Sequence, residues 1–427
     1  MRILLVGATG FIGGHLLTAL QRGQYTIIAT SRSGRGPDLP GVEWRALDLS
    51  TLADDPDTFT WPDGVDVVIN ASGLLGTDKN TLYAIQDRGA RALFSLAERH
   101  ATRIIQVSAL GAGDQPDIPF LDSKSLADEA LLSSSQRAVI LRPSMVIGPG
   151  GASSGWLSRL SPLPWIALMD TRSQVQPVHI DDLVGAVLSL LDRWPDQTSI
   201  YPVVGPDPMT LPQLIDRLRI SQGWTPAQYM QLPRWVSATG ARLGDRLGWQ
   251  ALNTQTLRMA GRDNTASSQP LEQACGFRAA SFESRLGEWP NPLQSASMAL
   301  RPILLGVMIV IWLGTAVACL GPGYAWGLGI MAEAGVHGWP ASLAVIGGAL
   351  LDAMLGIGLL SRYWRRPALK AQIALMLSYM VLITFLVPQY WYDPFASVLK
   401  NAGLLIATLW LLWTEPRATQ PDTRKAQ

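Results

Sequence analysis

Four apolar runs, at about residues 302–320, 341–360, 371–388 and 396–413, constrain this chain most, because nothing comparable precedes about residue 300. Each is about long enough to cross the hydrocarbon core of a bilayer, and buried soluble helices of that length would show more polar positions. A length of 427 residues also exceeds what one core covers. A globular part over 1–295, changing character near 200, is therefore predicted to precede a transmembrane bundle of four helices over 296–418 and a polar tail over 419–427. The stretch "WPNPLQSASMALR" reads as the linker. Arg301, then Arg362, Arg365, Arg366 and Lys370, then Arg417, Arg424 and Lys425 all flank one side, while the other two loops carry no lysine or arginine. By the positive-inside rule that side is cytoplasmic, as are both termini and the globular part; in a bacterium this is the inner membrane. The lipid bilayer is the first partner implied.

Charge and cysteine usage remove several function classes. The formal net charge is +1, so no basic field points to nucleic acid. The two cysteines, Cys275 and Cys319, have no CxxC spacing, which leaves no disulfide framework and no thiolate metal site. No metal is expected. Oligomeric state is not encoded in any feature of the chain. The start "MRILLVG" runs straight into glycines where a signal peptide would need a longer apolar stretch, and reads as a first strand.

From residue 1 to about 200, short apolar runs alternate with amphipathic stretches, the pattern of an α/β fold with a doubly wound parallel sheet. "RILLVG", "YTIIATS", "VDVVIN", "RIIQVSA" and "AVILRPS" read as buried strands, and "VEWRALDL" as a mixed one. "GGHLLTALQRG" and "NTLYAIQDRGARALFSLAERH" carry helical spacing. Between the first strand and first helix lies "VGATGFIGGHL". Gly7 permits a tight turn, Gly10 a close backbone approach to pyrophosphate, and Gly13 close packing of helix on sheet, with Thr9, Phe11 and Ile12 filling the loop. Dinucleotide binding follows. The second strand ends in Thr30, Ser31 and Arg32 instead of a carboxylate, which favours NADP(H) over NAD(H). Asp48 and Leu49 follow the third strand on the adenine side, and Ala71, Ser72 and Gly73 end the fourth, where the cofactor ribose would pass.

The order of GxxGxxG, "DL", "NASG", "VSALGAG", a helix ending in lysine, "LRPSMVIGPG" and "VQPVHIDDLVGAV" resembles the extended or atypical short-chain dehydrogenase/reductases over residues 1 to about 290. The segment from "LPRWV" to "FESRL" is similar to the subgroup of the NADPH-binding accessory subunit of respiratory complex I. The last third, with "FLVPQYWYDPFASVLKNAGLLIATL", resembles the DoxX-like membrane family. The resemblance implies catalytic roles for Lys124, which would hold the nicotinamide ribose, and Ser108, which would orient a carbonyl. It gives Pro143, with Arg142, a positioning role beside the nicotinamide. It also implies a tyrosine four residues before that lysine, yet Phe120 stands there and cannot exchange a proton. Ser123, Tyr83 and Tyr201 offer no compelling replacement; His179 and Asp181 match a stretch that commonly begins a helix near the substrate pocket, where the two aspartates, Asp181 and Asp182, read as the helix cap.

Three functions are compatible with these residues. The first is a membrane-anchored NAD(P)H-binding oxidoreductase whose acceptor is a substrate, a quinone or a membrane redox partner. The second is a non-catalytic NADPH-binding structural, assembly or sensing protein. The third is a sugar-nucleotide epimerase or dehydratase, against which the missing tyrosine also counts. Asp352, inside the second apolar run, needs a compensating neighbour, and Lys400 lies too shallow to supply it directly.

Overall fold

The computed structural model describes residues 1–415 apart from 24, 77, 135, 248–252, 287–288, 394–395 and 397. Arg417, Arg424, Lys425 and the tail over 419–427 lie outside the described residues. The chain divides into two compact units, Met1–Ala296 and Ser297–Gln427.

In the main sheet of the first unit, six of the described strands run in chain order: β1 (Arg2–Val6), β2 (Thr26–Ser31), β3 (Val42–Ala46), β4 (Val67–Asn70), β5 (Arg103–Val107) and β6 (Ala138–Pro143). A seventh, Ser199–Val203, pairs with β6 and has a mixed sequence that the apolar pattern does not mark. All pair in parallel in the order Ser199–Val203, β6, β5, β4, β1, β2, β3. The order reverses between β1 and β4, so their C-terminal ends form the crevice where such folds bind ligands. Strand residues such as Ile3, Leu4, Ile69, Ile104 and Ile140 are fully buried because helices cover both faces. One face packs on α1 (Phe11–Arg22) and the helix Ile180–Asp192, the other on α4 (Ala90–Arg99) and α5 (Pro119–Leu132).

The expected single helix over the "NTLYAIQDRGARALFSLAERH" segment is interrupted. Between α3 (Lys79–Tyr83) and α4, residues Ala84–Gly89 form a π-helical turn. It packs tightly on α2 (Leu49–Asp54): a methyl group at Gly89 would come within 2.2 Å of the Leu49 carbonyl oxygen. Such turns widen a helix locally and recur at functional sites.

Among the described residues, three helices are long and apolar enough to cross a membrane: Pro292–Leu320, whose first residues precede the boundary of the second unit, Trp339–Gly358 and Arg365–Leu386. The fourth expected span is a helix of 16 residues, Leu399–Thr414, about 24 Å long against a core of about 30 Å. A further helix, Tyr324–Glu333, lies in a loop where none was expected. Only 17%, 28% and 17% of the most apolar windows of the three long helices are buried. Val310, Phe385 and Trp413 therefore point outward, which suits lipid and would be costly in water.

Candidate functional site

The crevice is floored by the turn after β1. Gly7 has φ +79°, and a methyl group there would sit 2.9 Å from the Ser72 backbone nitrogen; one at Gly13 would sit 2.1 Å from the Gly7 carbonyl oxygen. Both glycines are thus demanded by close backbone packing. Gly10 caps α1 without a side-chain hydrogen bond, and the first turn carries no acidic residue. The free NH groups and the helix dipole are left for an anion. Thr9 and Gly10 are exposed at this mouth, which opens beside Phe11 and Pro149 into a cleft of about 620 Å³. Phe11 stacks edge-on against His15, and Ile12 packs on the first core.

Around the rim, Ser31 is engaged in its own turn, donating to the Arg35 carbonyl at 2.7 Å, whereas Arg32 is exposed with no ion pair among the described residues. Asp48 caps the helix Leu49–Asp54, accepting from the Ser50 NH at 2.9 Å and its hydroxyl at 2.6 Å through one oxygen. Leu49 itself is core. Ala71 continues the sheet by donating to Val6, and Ser72 is fixed by the buried Asn70.

Lys124 is 3% exposed, and its ammonium donates to the carbonyls of Ser72 and Val107, each at 2.9 Å. Burial pulls its pKa down to about 8, against the nearby Asp128 carboxylate. Beside it, a methyl group at Gly73 would lie 3.7 Å from both the Lys124 nitrogen and Gln86 Oε1. Gln86 is 1% exposed and donates to the Leu74 carbonyl at 3.2 Å, yet its Oε1 has no partner among the described residues. A buried acceptor and a buried donor facing the space over a residue without Cβ make a cradle for ligand hydroxyls. The residues present fit a dinucleotide.

Asp128, one helical turn beyond Lys124, is the residue the sequence reading missed. Fully buried, it accepts from the Ser108 hydroxyl at 2.7 Å and from Arg142 at 2.9 Å. Burial raises its carboxyl pKa; Ser108, Arg142 and Lys124 oppose that. The i,i+4 spacing from Lys124 was the available signal. Arg142 and Pro143 form the end of β6, and the Pro143 carbonyl accepts from the Leu110 NH.

Phe120 packs with Ala109, Ile118, Leu121 and Met259. Its neighbours in that cluster are all apolar. Tyr83 donates to Asp122 at 2.7 Å, and burial first, then that carboxylate, push its pKa up to about 12. Ser123 donates to the Phe120 carbonyl, and Tyr201 lies in the core. The cap of the helix Ile180–Asp192 is His179, accepting from the Asp181 NH at 3.3 Å, while Asp182 pairs with Arg285. In the second unit, Asp352 is 7% exposed, its Oδ1 has no partner among the described residues, and Lys400 is exposed.

Comparison with known proteins agrees with this geometry. Residues 3–201 match the NAD dependent epimerase/dehydratase family, and residues 309–409 the DoxX-like family. The chain is 28% identical over 193 residues to a ceramide reductase of Caulobacter vibrioides, covering 44% of this chain and 60% of that one. It is also 28% identical over 243 residues to NADH dehydrogenase (ubiquinone) 1 alpha subcomplex subunit 9 of Arabidopsis thaliana, covering 53% of this chain and 59% of that one. The matched part thus spans about 60% of these relatives' length. Among solved structures, UDP-glucose 4-epimerase of Thermotoga maritima superposes with a TM-score of 0.51 at 16% identity, covering 71% of this chain and 100% of that one. The chain thus carries an NAD-dependent epimerase/dehydratase-like short-chain dehydrogenase/reductase domain on its N-terminal side, followed by a DoxX-like domain.

Proposed function

We propose that the protein is a membrane-anchored oxidoreductase that binds NADP(H) in the crevice of its first unit, facing the cytoplasm. The observation that carries this reading is Lys124, buried and held by two backbone carbonyls at the edge of the Gly73 cradle. Lys124 and Gln86 bind the ribose hydroxyls nearest the nicotinamide, the NH groups at the start of α1 bind the pyrophosphate, and exposed Arg32 meets the 2′-phosphate. The cofactor supplies a hydride at its nicotinamide ring. Ser108, turned to Asp128 and fixed with Arg142, orients the acceptor. With Phe120 in an apolar cluster, no side chain there gives a proton, so the acceptor takes its proton from water, as a quinone can. The one-sided arginines and lysine favour four spans with this unit on the cytoplasmic side.

The Phe120–Met259 packing also favours a second reading, in which the nucleotide is held without turnover and the protein scaffolds a membrane assembly. The two relatives support different readings, one being named a reductase and the other a subunit of a larger complex.

The full chain, purified in mild detergent, is titrated with NADPH and NADH by fluorescence, and loss of reduced nicotinamide is followed with and without a soluble quinone. The expected result is NADPH binding about tenfold or more tighter than NADH, with quinone-dependent oxidation that is lost in Lys124→Ala. Binding without oxidation transfers the weight to the second reading, and no nucleotide binding overturns both.

A further inference from the structure

Beyond Ser108 the chain turns through Gly111, and the guanidinium of Arg262, from the segment after the helix Thr254–Ala260, lies directly on that turn. A methyl group at Gly111 would sit 1.8 Å from Arg262 Nη2 and 2.6 Å from Cζ, and the backbone there has φ +89°. Only a glycine lets the cation approach this closely. Arg262 Nη1 is buried and has no hydrogen-bond partner among the described residues. Asp263 accepts from the Gln174 NH at 2.8 Å and Asp117 pairs with Arg258 at 3.1 Å, while Asp114, whose NH donates to the Gly111 carbonyl at 3.2 Å, forms no ion pair with Arg262 among the described residues. A guanidinium fork with one arm enclosed and unpaired is costly unless an oxygen acceptor fills it, and carboxylate and phosphate match its geometry best.

The surroundings describe the rest of the ligand. Three residues before Arg262, Met259 joins Phe120, Ala109, Ile118 and Leu121 in a small apolar cluster. Next to that cluster in sequence, Asp117, Pro119, Gln255 and Arg258 line a cleft of about 130 Å³. The Arg262 cation therefore lies on a turn, Gly111, that is three residues along the chain from the serine that would orient the reacting group, and the apolar cluster includes Ala109 of the same segment.

We propose that this corner is a second ligand subsite, taking an anionic amphiphile whose carboxylate or phosphate head bonds Arg262 and whose apolar body lies on Phe120 and Met259. The assignment deepens the oxidoreductase reading and rests on it only for calling this ligand the substrate. Phe120 acquires a role of its own here, as wall where relatives by resemblance carry an acid.

The full chain in phosphatidylcholine nanodiscs is titrated calorimetrically with octanoate, octyl phosphate and octanol, with empty nanodiscs subtracted. The expected result is saturable binding of one or both acids, octanol binding at least about tenfold more weakly, and a similar loss for the acids in Arg262→Gln. Arg262→Lys, which keeps the charge without the fork, recovers part of it. Octanol binding as tightly as both acids, or Arg262→Gln binding them like the parent, overturns the subsite. A separate NADPH titration distinguishes the two readings: acid binding without nucleotide binding keeps the subsite and removes the cofactor assignment, and the reverse does the opposite.

Discussion

Lys124 shows what burial does to one side chain in this protein. Its ammonium is taken out of water and held by two carbonyls, so the charged form is disfavoured and the pKa falls to about 8. An unfolded lysine titrates near 10.4. Between about pH 8 and 10.4 the unfolded chain binds more protons than the folded one, so stability rises with pH across that window. The full span is on the order of 3 kcal/mol. The melting midpoint of the cofactor-free nucleotide unit is expected to rise from pH 7.5 to 9.5, before tyrosines intervene, and a Lys124→Met variant should lose that slope. A flat profile in the parent would mean that the ammonium is solvated. Sequence alone singled out Lys124 and Ser108. It could not single out Gln86, because an unpaired amide oxygen becomes visible only when the turn that buries it is folded. Asp128 was within reach, standing one turn from Lys124, but its fourfold spacing looks like any helical ion pair until burial is known.

Among the elements, the glycine turn and α1 were readable because each glycine answers a local geometric demand. Gly13 and Gly14 are neighbours with opposite requirements: a methyl group would meet the Gly7 carbonyl at 2.1 Å from the first but only the Ala8 carbonyl at 3.8 Å from the second. Gly13→Ala should cost about 1–3 kcal/mol and nucleotide binding with it. Gly14→Ala should instead stabilise by about 0.5–1 kcal/mol through helix propensity. Thermal melts with and without NADPH separate the two, and equal effects would remove the packing argument. The π-helical turn at Ala84–Gly89 was not readable in this way. Its apolar spacing continues that of an ordinary helix, and the close approach of Gly89 to Leu49 joins segments that are distant in sequence. The strand Ser199–Val203 escaped for a related reason: its pattern is mixed, and pairing with β6 makes it a strand.

At the scale of the whole molecule, composition divides the chain before any fold is considered, since only the last third offers apolar surface that suits lipid. The charge asymmetry makes an orientation testable in cells. With the native cysteines replaced, His337→Cys should react with an impermeant maleimide from outside, and Tyr363→Cys only after the membrane is opened. The reverse labelling would invert the proposed topology. The sequence by itself determined the doubly wound sheet, the nucleotide turn and the membrane-seeking helices. Periodicity, glycine geometry and hydropathy act over a few residues and are written in order along the chain. Tertiary structure decided that Asp128 joins Ser108 and Arg142 beside the buried Lys124, that Met259 packs in one cluster with Phe120, and that Arg262 rests on Gly111. Those contacts join residues as much as 151 positions apart, as Gly111 and Arg262 are. Burial and pairing are properties of what surrounds a side chain, and only the folded chain supplies those surroundings.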